Sequence, residues 1–503
     1  MEPTSIGYIT DVTYTDNYYG QLCPVTLNYI AALNGHSFPD LSDFDYCELG
    51  CGMGLSLLMH AAANPGGRFV GIDLNPEHIR HAEAAARELK LANVSLRAQS
   101  VGDALDDPQL PMFDFVVMHG LYSWVPEYVR GEIQSFLRSR LKPGGIAFIT
   151  YNAMPGCAGK APLREMMKAF ATPLSSNSIE RAELGLSYLR LLLNGKAPFF
   201  QLNPNSARHA ENLFDKDLRY VAHEYLNDEW HPLYFAQAEH EMREAGLVFA
   251  GGMPMWTNYP EADTPPNMDE FFSSLPSRSA RETHRDFVLN TVFRSDVFIR
   301  PANAADGRSL LDMSFGNVTR PDQLQTGEEI GFFTPPLADE TCQTVLKLIQ
   351  DNPLALTELI ASAAKAGIAP ERTLKALSWW VLSGQIRPAC PSADNPGFSA
   401  VNAALVLRAM RDPETSMVWL ASQRYGTAFE MEKTQALALW AVSLARSGPR
   451  EESLLRLLKS HRLTADERGQ ALSDSRIREM CTSIFAELDA VGATEHAHRI
   501  GIL

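Results

Sequence analysis

The stretch Asp45-Tyr-Cys-Glu-Leu-Gly-Cys-Gly-Met-Gly54, followed by Arg68-Phe-Val-Gly-Ile-Asp73, constrains this chain more than any other part. Tyr46 to Leu49 reads as a short buried strand. Gly50, Gly52 and Gly54 then make a turn, and Leu55 to Ala63 continues as a helix. Glycines are needed where a ligand must lie against the backbone at a helix N-terminus, because a side chain would block it. A second strand ends in Asp73, an acid placed to accept both hydroxyls of a ribose. The spacing is Gly-x-Gly-x-Gly, with Leu55 where the dinucleotide fingerprint has its third glycine. Together these elements form the first half of a nucleoside-binding, doubly wound α/β sheet.

The alternation continues downstream as a parallel sheet requires. Asn75-Pro76 opens a helix that runs to about Leu91. Asn93 to Ser100 is a third strand, followed by Gly102-Asp103. Phe113-Asp-Phe-Val-Val-Met118 is a fourth, apolar enough to be central. Glu127 to Leu141 is a helix closed by Lys142-Pro-Gly-Gly145, and Ile146 to Thr150 is the fifth strand. Residues 155–228 read as a helical insertion, with Leu184, Leu186, Leu189, Leu192 and Leu193 as apolar positions. A helix near Tyr234 to Ala245 precedes two closing strands, Leu247–Gly252 and Phe293–Arg300.

Composition bounds the function. A net charge of −16 argues against broad phosphate-backbone binding, so nucleic acid is not an expected partner. The seven cysteines (23, 47, 51, 157, 342, 390 and 481) have no Cys-x-x-Cys pairs. They read as reduced thiols of a cytoplasmic protein without a zinc site. His223-Glu224 lacks the second histidine of a zinc-protease helix, since Asn227 stands at that place, so no metal is expected. No apolar stretch approaches the ~18 residues of a membrane span, so no membrane insertion is expected.

Glu48 with the glycine turn, and Leu141-Lys-Pro-Gly-Gly-Ile-Ala-Phe-Ile-Thr150 before the fifth strand, resemble the class I S-adenosylmethionine-dependent methyltransferases. Tyr14-Thr-Asp-Asn-Tyr-Tyr19 with Pro24, His119 to Val125, Tyr151 to Gly156, His223 to Leu226 and His231 to Phe235 narrow the resemblance. They are similar to members carrying a methyltransferase regulatory domain, such as rickettsial lysine methyltransferases of outer-membrane proteins. The implied fold is a seven-stranded class I methyltransferase sheet with a helical insertion over residues 1–302. Residues 303–336 read as a connector. Three helices and a possible hairpin at 337–395 suggest a winged-helix-like module, and 396–503 read as a helical domain.

The resemblance implies S-adenosylmethionine as cofactor. Gly50, Cys51 and Gly52 would lie against its methionine part, with Glu48 orienting the loop or the amino group. Asp73 would take the ribose, and Leu74 and Asn75 would border the adenosine. Asp103 resembles the acid that accepts from the adenine amino group, with Gly102 lending a backbone N–H, but it could equally cap a helix. Tyr18 and Tyr19 would belong to an N-terminal lid, Tyr18 toward cofactor and Tyr19 toward substrate.

His119 follows the fourth strand, where open α/β sheets bind ligands, so it could face cofactor or acceptor. Tyr122 and Trp124 share its loop and could wall the methyl-accepting chain or merely pack the loop. These three are the catalytic candidates. Asn152 and His223 are further substrate candidates; His223 with Glu224 would line the acceptor channel or tie the insertion to the core. The Asp/Asn-Pro-Pro-Tyr/Phe motif of many amine methyltransferases is absent here, so a nitrogen acceptor rests on the resemblance alone.

The implied acceptor is a protein or peptide, with an outer-membrane protein as one candidate. The alternatives are a small metabolite or peptide natural product, with the extra domains closing the site or forming a homodimer, and a non-catalytic cofactor-binding regulator.

Overall fold

The computed structural model describes residues 9, 11–12, 17–302, 308–390, 398–445, 448–464, 470 and 472–503. After α1 (Pro24–Leu33), the chain alternates β1 (Phe44–Leu49), α2 (Leu55–Ala63), β2 (Gly67–Asp73), α3 (Pro76–Glu88), β3 (Val94–Ala98), α4 (Val101–Asp106), β4 (Phe113–Met118), α5 (Glu127–Arg140) and β5 (Leu141–Asn152). The insertion holds α6 (Ala161–Ala171), α7 (Ser178–Asn194), α8 (Pro198–Leu202), α9 (Pro204–Leu213) and α10 (Leu218–Tyr225). Next come α11 (Phe235–Glu244), β6 (Val248–Met253), α12 (Pro260–Asp263), α13 (Asp269–Ser274), α14 (Arg278–Leu289) and β7 (Phe293–Ile299).

These strands form one seven-stranded sheet in the order β3-β2-β1-β4-β5-β7-β6. β1 to β5 pair in parallel, and β7 runs antiparallel between β5 and β6. Every residue of β1 is buried, as expected of a central strand covered on both faces. The strand order reverses between β1 and β4, which opens a crevice at the carboxyl ends of those two strands. The fold is therefore the class I methyltransferase sheet.

The insertion is helical and has its own core of Leu163, Met167, Leu186, Leu189 and Tyr225. Its attachment to the sheet runs through Arg164, which is buried and has no carboxylate within 4.0 Å among the described residues. The guanidinium lies between Trp124 and Trp230, 5.5 and 4.8 Å from their ring centroids, and donates to Glu224 O and Asn227 O. The two aromatic faces and two carbonyls replace the water this charge gives up.

The C-terminal half continues with β8 (Ser314–Asn317), α15 (Glu340–Leu348), β9 (Leu354–Ala355), α16 (Leu356–Lys365), α17 (Pro370–Leu382) and β10 (Ile386–Ala389). A three-stranded sheet, β10-β8-β9, joins three helices here. The stretch read as a connector therefore supplies the central strand of this sheet. Ser314-Phe-Gly-Asn317 has no alternation long enough to mark it, and it becomes a strand by pairing Phe315 with Pro388 of β10.

The last elements are α18 (Ala400–Arg411), β11 (Met417–Ser422), β12 (Thr427–Glu432), α19 (Lys433–Leu444), α20 (Arg450–Ser460), α21 (Asp474–Ala490) and α22 (Ala493–Arg499). The region 396–503 is largely helical, as expected, with the β11–β12 hairpin set among its helices. The hairpin turn places Gly426 at φ +59°, and a Cβ there would lie 2.8 Å from Asn64 Oδ1. The hairpin packs against α2, whose Leu58, Met59 and Ala62 share a core with Val418, Leu420 and Ala428. Among the described residues no helix is long and apolar enough to cross a membrane.

Candidate active site

The glycine turn leaves β1 at Leu49 with Gly50, Gly52 and Gly54 at φ +71°, +55° and +84°. Gly50 and Cys51 donate to Ile72 O, at 2.8 and 3.1 Å, which ties the turn to β2. A Cβ at Gly54 would fall 2.9 Å from Ala82 Cβ, so only glycine lets α2 and α3 approach this closely. In front of Gly52, by contrast, a Cβ would meet nothing within 4 Å. The turn is thus held from behind and open toward the crevice. Glu48 is buried beneath it, and the Cys51 side chain turns inward against Gly71, leaving its backbone to the crevice.

Asp73 closes the second side. Its Oδ2 accepts from Gly52 N at 2.9 Å, its Oδ1 from Asn75 N at 2.9 Å, and His78 Nδ1 lies 3.2 Å from Oδ1. Each carboxylate oxygen can accept about two hydrogen bonds, so the group is oriented with a place left on Oδ2 for a ribose hydroxyl. Leu74 beside it is 40% exposed, an apolar surface at the rim. Asn75 caps α3, its Oδ1 accepting from Glu77 N at 2.9 Å. Asp103 takes the capping alternative, since its Oδ2 accepts from Ser100 N and Oγ at the start of α4. Gly102 lies against the Glu132 carboxylate of α5. Open space before Gly52, two carboxylates and an exposed leucine fit S-adenosylmethionine, with its amino, ribose and adenine parts.

Across the crevice, His119 follows β4 and packs on Tyr19, ring centroids 3.7 Å apart and planes tilted by 37°. Gln21 Nε2 lies 3.2 Å from its Nδ1, and the Phe293 ring meets it edge-on at 5.9 Å. Burial pushes the imidazole down to about 4, so it is neutral at pH 7. The sequence reading missed Gln21 and Phe293. Gln21 stands alone ahead of α1 with no periodicity to mark it, and Phe293 is an ordinary strand opener that remains 41% exposed.

Three candidates sit elsewhere. Tyr18 points away from the crevice: its OH lies 2.6 Å from Thr427 Oγ1 and accepts from Ala428 N, and its ring packs at a tilt against Trp419 and His60. It joins α2 to the C-terminal hairpin instead of covering the cofactor. Tyr122 is fully buried and donates to Glu241 of α11, so it is core rather than an acceptor wall. Trp124 packs on Arg164 and anchors the insertion. Tyr122→Phe should lower stability by about 1.5–3 kcal/mol, the worth of a hydrogen bond to a charged group. Turnover measured below the melting range should stay unchanged.

Asn152 ends β5, buried, with its N–H donating to Ser123 Oγ and its carbonyl accepting from Leu233 N. His223 lies on α10 with Nε2 2.9 Å from Val12 O, and Asn227 donates back to His223 O. Asn227 Oδ1 also accepts from Ile9 N, and Asp11 accepts from Ser178 N and Oγ. The described part of the N-terminal segment is therefore strapped to the insertion, with His223 as one of the ties. Tyr14 to Asp16 of the Tyr14–Tyr19 motif lie outside the described residues.

A second buried histidine, His60 on α2, contacts Tyr19 O at 3.2 Å, and burial pushes it down to about 4. In the unfolded chain it would titrate near 6.5, so between about pH 6.5 and 4 the unfolded state binds the extra proton. The stability from burying neutral His60 is complete above that range and is lost as pH falls through it. Replacing His60 with glutamine should flatten the acid limb of Tm against pH in that window. An unchanged slope would remove His60 as its cause.

Two family models match the chain, "Methyltransferase domain" over residues 47–147 and "Predicted methyltransferase regulatory domain" over 217–300. An uncharacterised Synechocystis protein is 30% identical over 452 residues, covering 88% of this chain and 89% of that one. An uncharacterised Rickettsia prowazekii protein is 29% identical over 290 residues, 57% of this chain and 51% of its own length. Among solved structures, PKMT2 from Rickettsia typhi matches with a TM-score of 0.67 at 22% identity, covering 97% of this chain and 99% of that one. It has also been solved in complex with AdoHcy, with a TM-score of 0.67 at 20% identity and the same coverage of both chains. The chain belongs to the class I S-adenosylmethionine-dependent methyltransferases that carry a methyltransferase regulatory domain, and S-adenosylmethionine is its methyl donor.

Proposed function

We propose that the chain methylates a protein, on lysine side chains, in the space bounded by Tyr19, His119 and Phe293. The observation that carries this reading is the neutral, aromatic character of that wall. The Tyr19 and Phe293 rings flank an imidazole that burial keeps uncharged. A cationic acceptor can approach such a wall without repulsion, and aromatic faces favour the charge it carries. Phe293 and its chain neighbour Val292 are exposed, an apolar surface of the kind a polypeptide acceptor would use. The resemblance to rickettsial lysine methyltransferases supports the same acceptor class.

In this reading Glu48 and the backbone of Gly50 to Gly52 hold the methionine part of the cofactor, and Asp73 holds the ribose. Leu74 and Asn75 border the adenosine. When bound, the cofactor supplies an electrophilic methyl group on a sulfonium. The chain supplies alignment, which can account for about 7–11 kcal/mol of the barrier. Tyr19, Phe293 and His119 confine the acceptor amine, which must arrive deprotonated. With a pKa near 4, His119 is a poor base at pH 7, so its role is to orient.

His119→Asn should therefore lower kcat about tenfold, the worth of one oriented hydrogen bond, while cofactor affinity stays within about twofold. A parallel loss of both would make His119 a cofactor contact instead.

The acceptor class is tested with the full chain, radiolabelled S-adenosylmethionine and a cell lysate separated by size. Label in the protein fraction, recovered as methyl-lysine after acid hydrolysis, is the expected result. Label confined to small molecules would overturn the protein acceptor, and methyl-arginine or methyl ester would overturn lysine.

A further inference from the structure

We propose that a second ligand site lies in the C-terminal half, built for a small zwitterion of the α-amino-acid class. It is a cleft of about 370 Å³ where the turn after α15, the β11–β12 turn and α22 meet, lined by Asp351, Asn352, Arg424, Glu495, His498 and Arg499. That volume lies within the range of small-molecule pockets.

The charges on its walls are unusual. Arg499 is 8% exposed, yet its Nε has no hydrogen-bond partner, and its one bond is from Nη1 to Thr319 O at 3.1 Å. Arg424 donates only to the backbone carbonyls of His498 and Arg499. Among the described residues neither arginine comes within 4.0 Å of a carboxylate, and neither Asp351 nor Glu495 comes within 4.0 Å of a cation. Two positive and two negative groups thus line one cleft without pairing with each other.

A buried guanidinium with a single carbonyl partner is costly unless something else compensates it. Arg164 shows what compensation looks like, with two indole faces and two carbonyls. Arg499 lacks any of this beyond Thr319 O; its Nε is sealed from solvent, so Nη2, which has no partner among the described residues, is the nitrogen a ligand carboxylate would meet. A lone anion would also face the carboxylates of Asp351 and Glu495, and a lone cation would face the two arginines. A ligand carrying both a carboxylate and an ammonium group satisfies both sets, and an α-amino acid is the smallest common species that does. The β11–β12 turn of the cleft meets Asn64 at the C-terminal end of α2, the end opposite the glycine turn, so this assignment is independent of the methyl acceptor.

The test is titration calorimetry on the full chain, with saturating S-adenosylhomocysteine present so that the cofactor crevice cannot take an amino acid. The probes are L-methionine, L-lysine and L-glutamate, with acetate, methylamine and inorganic phosphate as single-charge controls. At least one amino acid should bind saturably while the controls do not. Arg499→Gln and Asp351→Asn should each weaken that binding about tenfold or more. If Arg499→Gln fails to fold, Asp351→Asn and Glu495→Gln carry the comparison, since both wild-type side chains are on the surface. Absence of amino-acid binding at millimolar concentration, equal binding of acetate or phosphate alone, or unchanged affinity in the variants would each overturn the proposal.

Discussion

Replacing Asp73 with alanine is expected to weaken binding of S-adenosylhomocysteine by about 1.5–3 kcal/mol, roughly ten- to hundredfold. The carboxylate is positioned by Gly52 N and Asn75 N before any ligand arrives. Its removal takes away the ribose acceptor and also the anchor that fixes the Gly52 amide. Asp73→Asn keeps one oxygen acceptor but introduces an N–H toward one of those two amides, so its loss should also be substantial. Calorimetry on folded protein decides the matter, and an Asp73→Ala variant with wild-type affinity would remove the ribose assignment.

A larger effect on stability is expected at Arg294. The side chain is buried at the second residue of β7, with Nε and Nη2 donating to Asp296, Nη1 to Asp286 at 2.8 Å and Nη2 to Glu282 at 2.8 Å. Its guanidinium also lies 4.4 Å from the Phe235 ring centroid, and Tyr151 donates to Asp296 at 2.7 Å. Arg294→Ala would leave the buried Asp286 and Asp296 without a cation among the described residues, while Glu282 keeps Arg285; Asp286 is already pushed up by burial. Removing one partner of a buried ion cluster costs about 3–5 kcal/mol. Because Tyr151 and Asn152 of β5 pair with Arg294 and Phe293 of β7, the loss should reach the crevice and lower activity as well. A destabilisation under about 1 kcal/mol in denaturant unfolding would show that water replaces the arginine there.

The two effects differ in how visible they were beforehand. Asp73 announces itself because strand, glycine turn, helix and second strand are local patterns, each specified by neighbours in the chain. The helix starts are equally local: Asn75-Pro76 caps and opens α3, and the apolar run Phe113–Met118 is a central strand wherever a sheet forms. From such elements the seven-stranded sheet and the cofactor class could be read.

The Arg294 cluster gave no such signal, since Glu282, Asp286, Arg294 and Asp296 look like surface charges until α14 and β7 bury them together. The same holds for the loop after β4. His119, Tyr122 and Trp124 are close in sequence, but a turn of 3₁₀ helix sends Tyr122 into the core and Trp124 toward Arg164, leaving His119 at the crevice. Tyr18 and Tyr19 are adjacent and diverge, one toward Trp419 and the other onto His119. Strand β8 exists because β9 and β10 pair with it, roughly forty and seventy residues later. The sequence by itself determined the elements whose hydrogen bonds and apolar faces close within a few residues. Tertiary structure decided which side of a loop each side chain faces and which charges are buried, because those depend on partners distant in the chain.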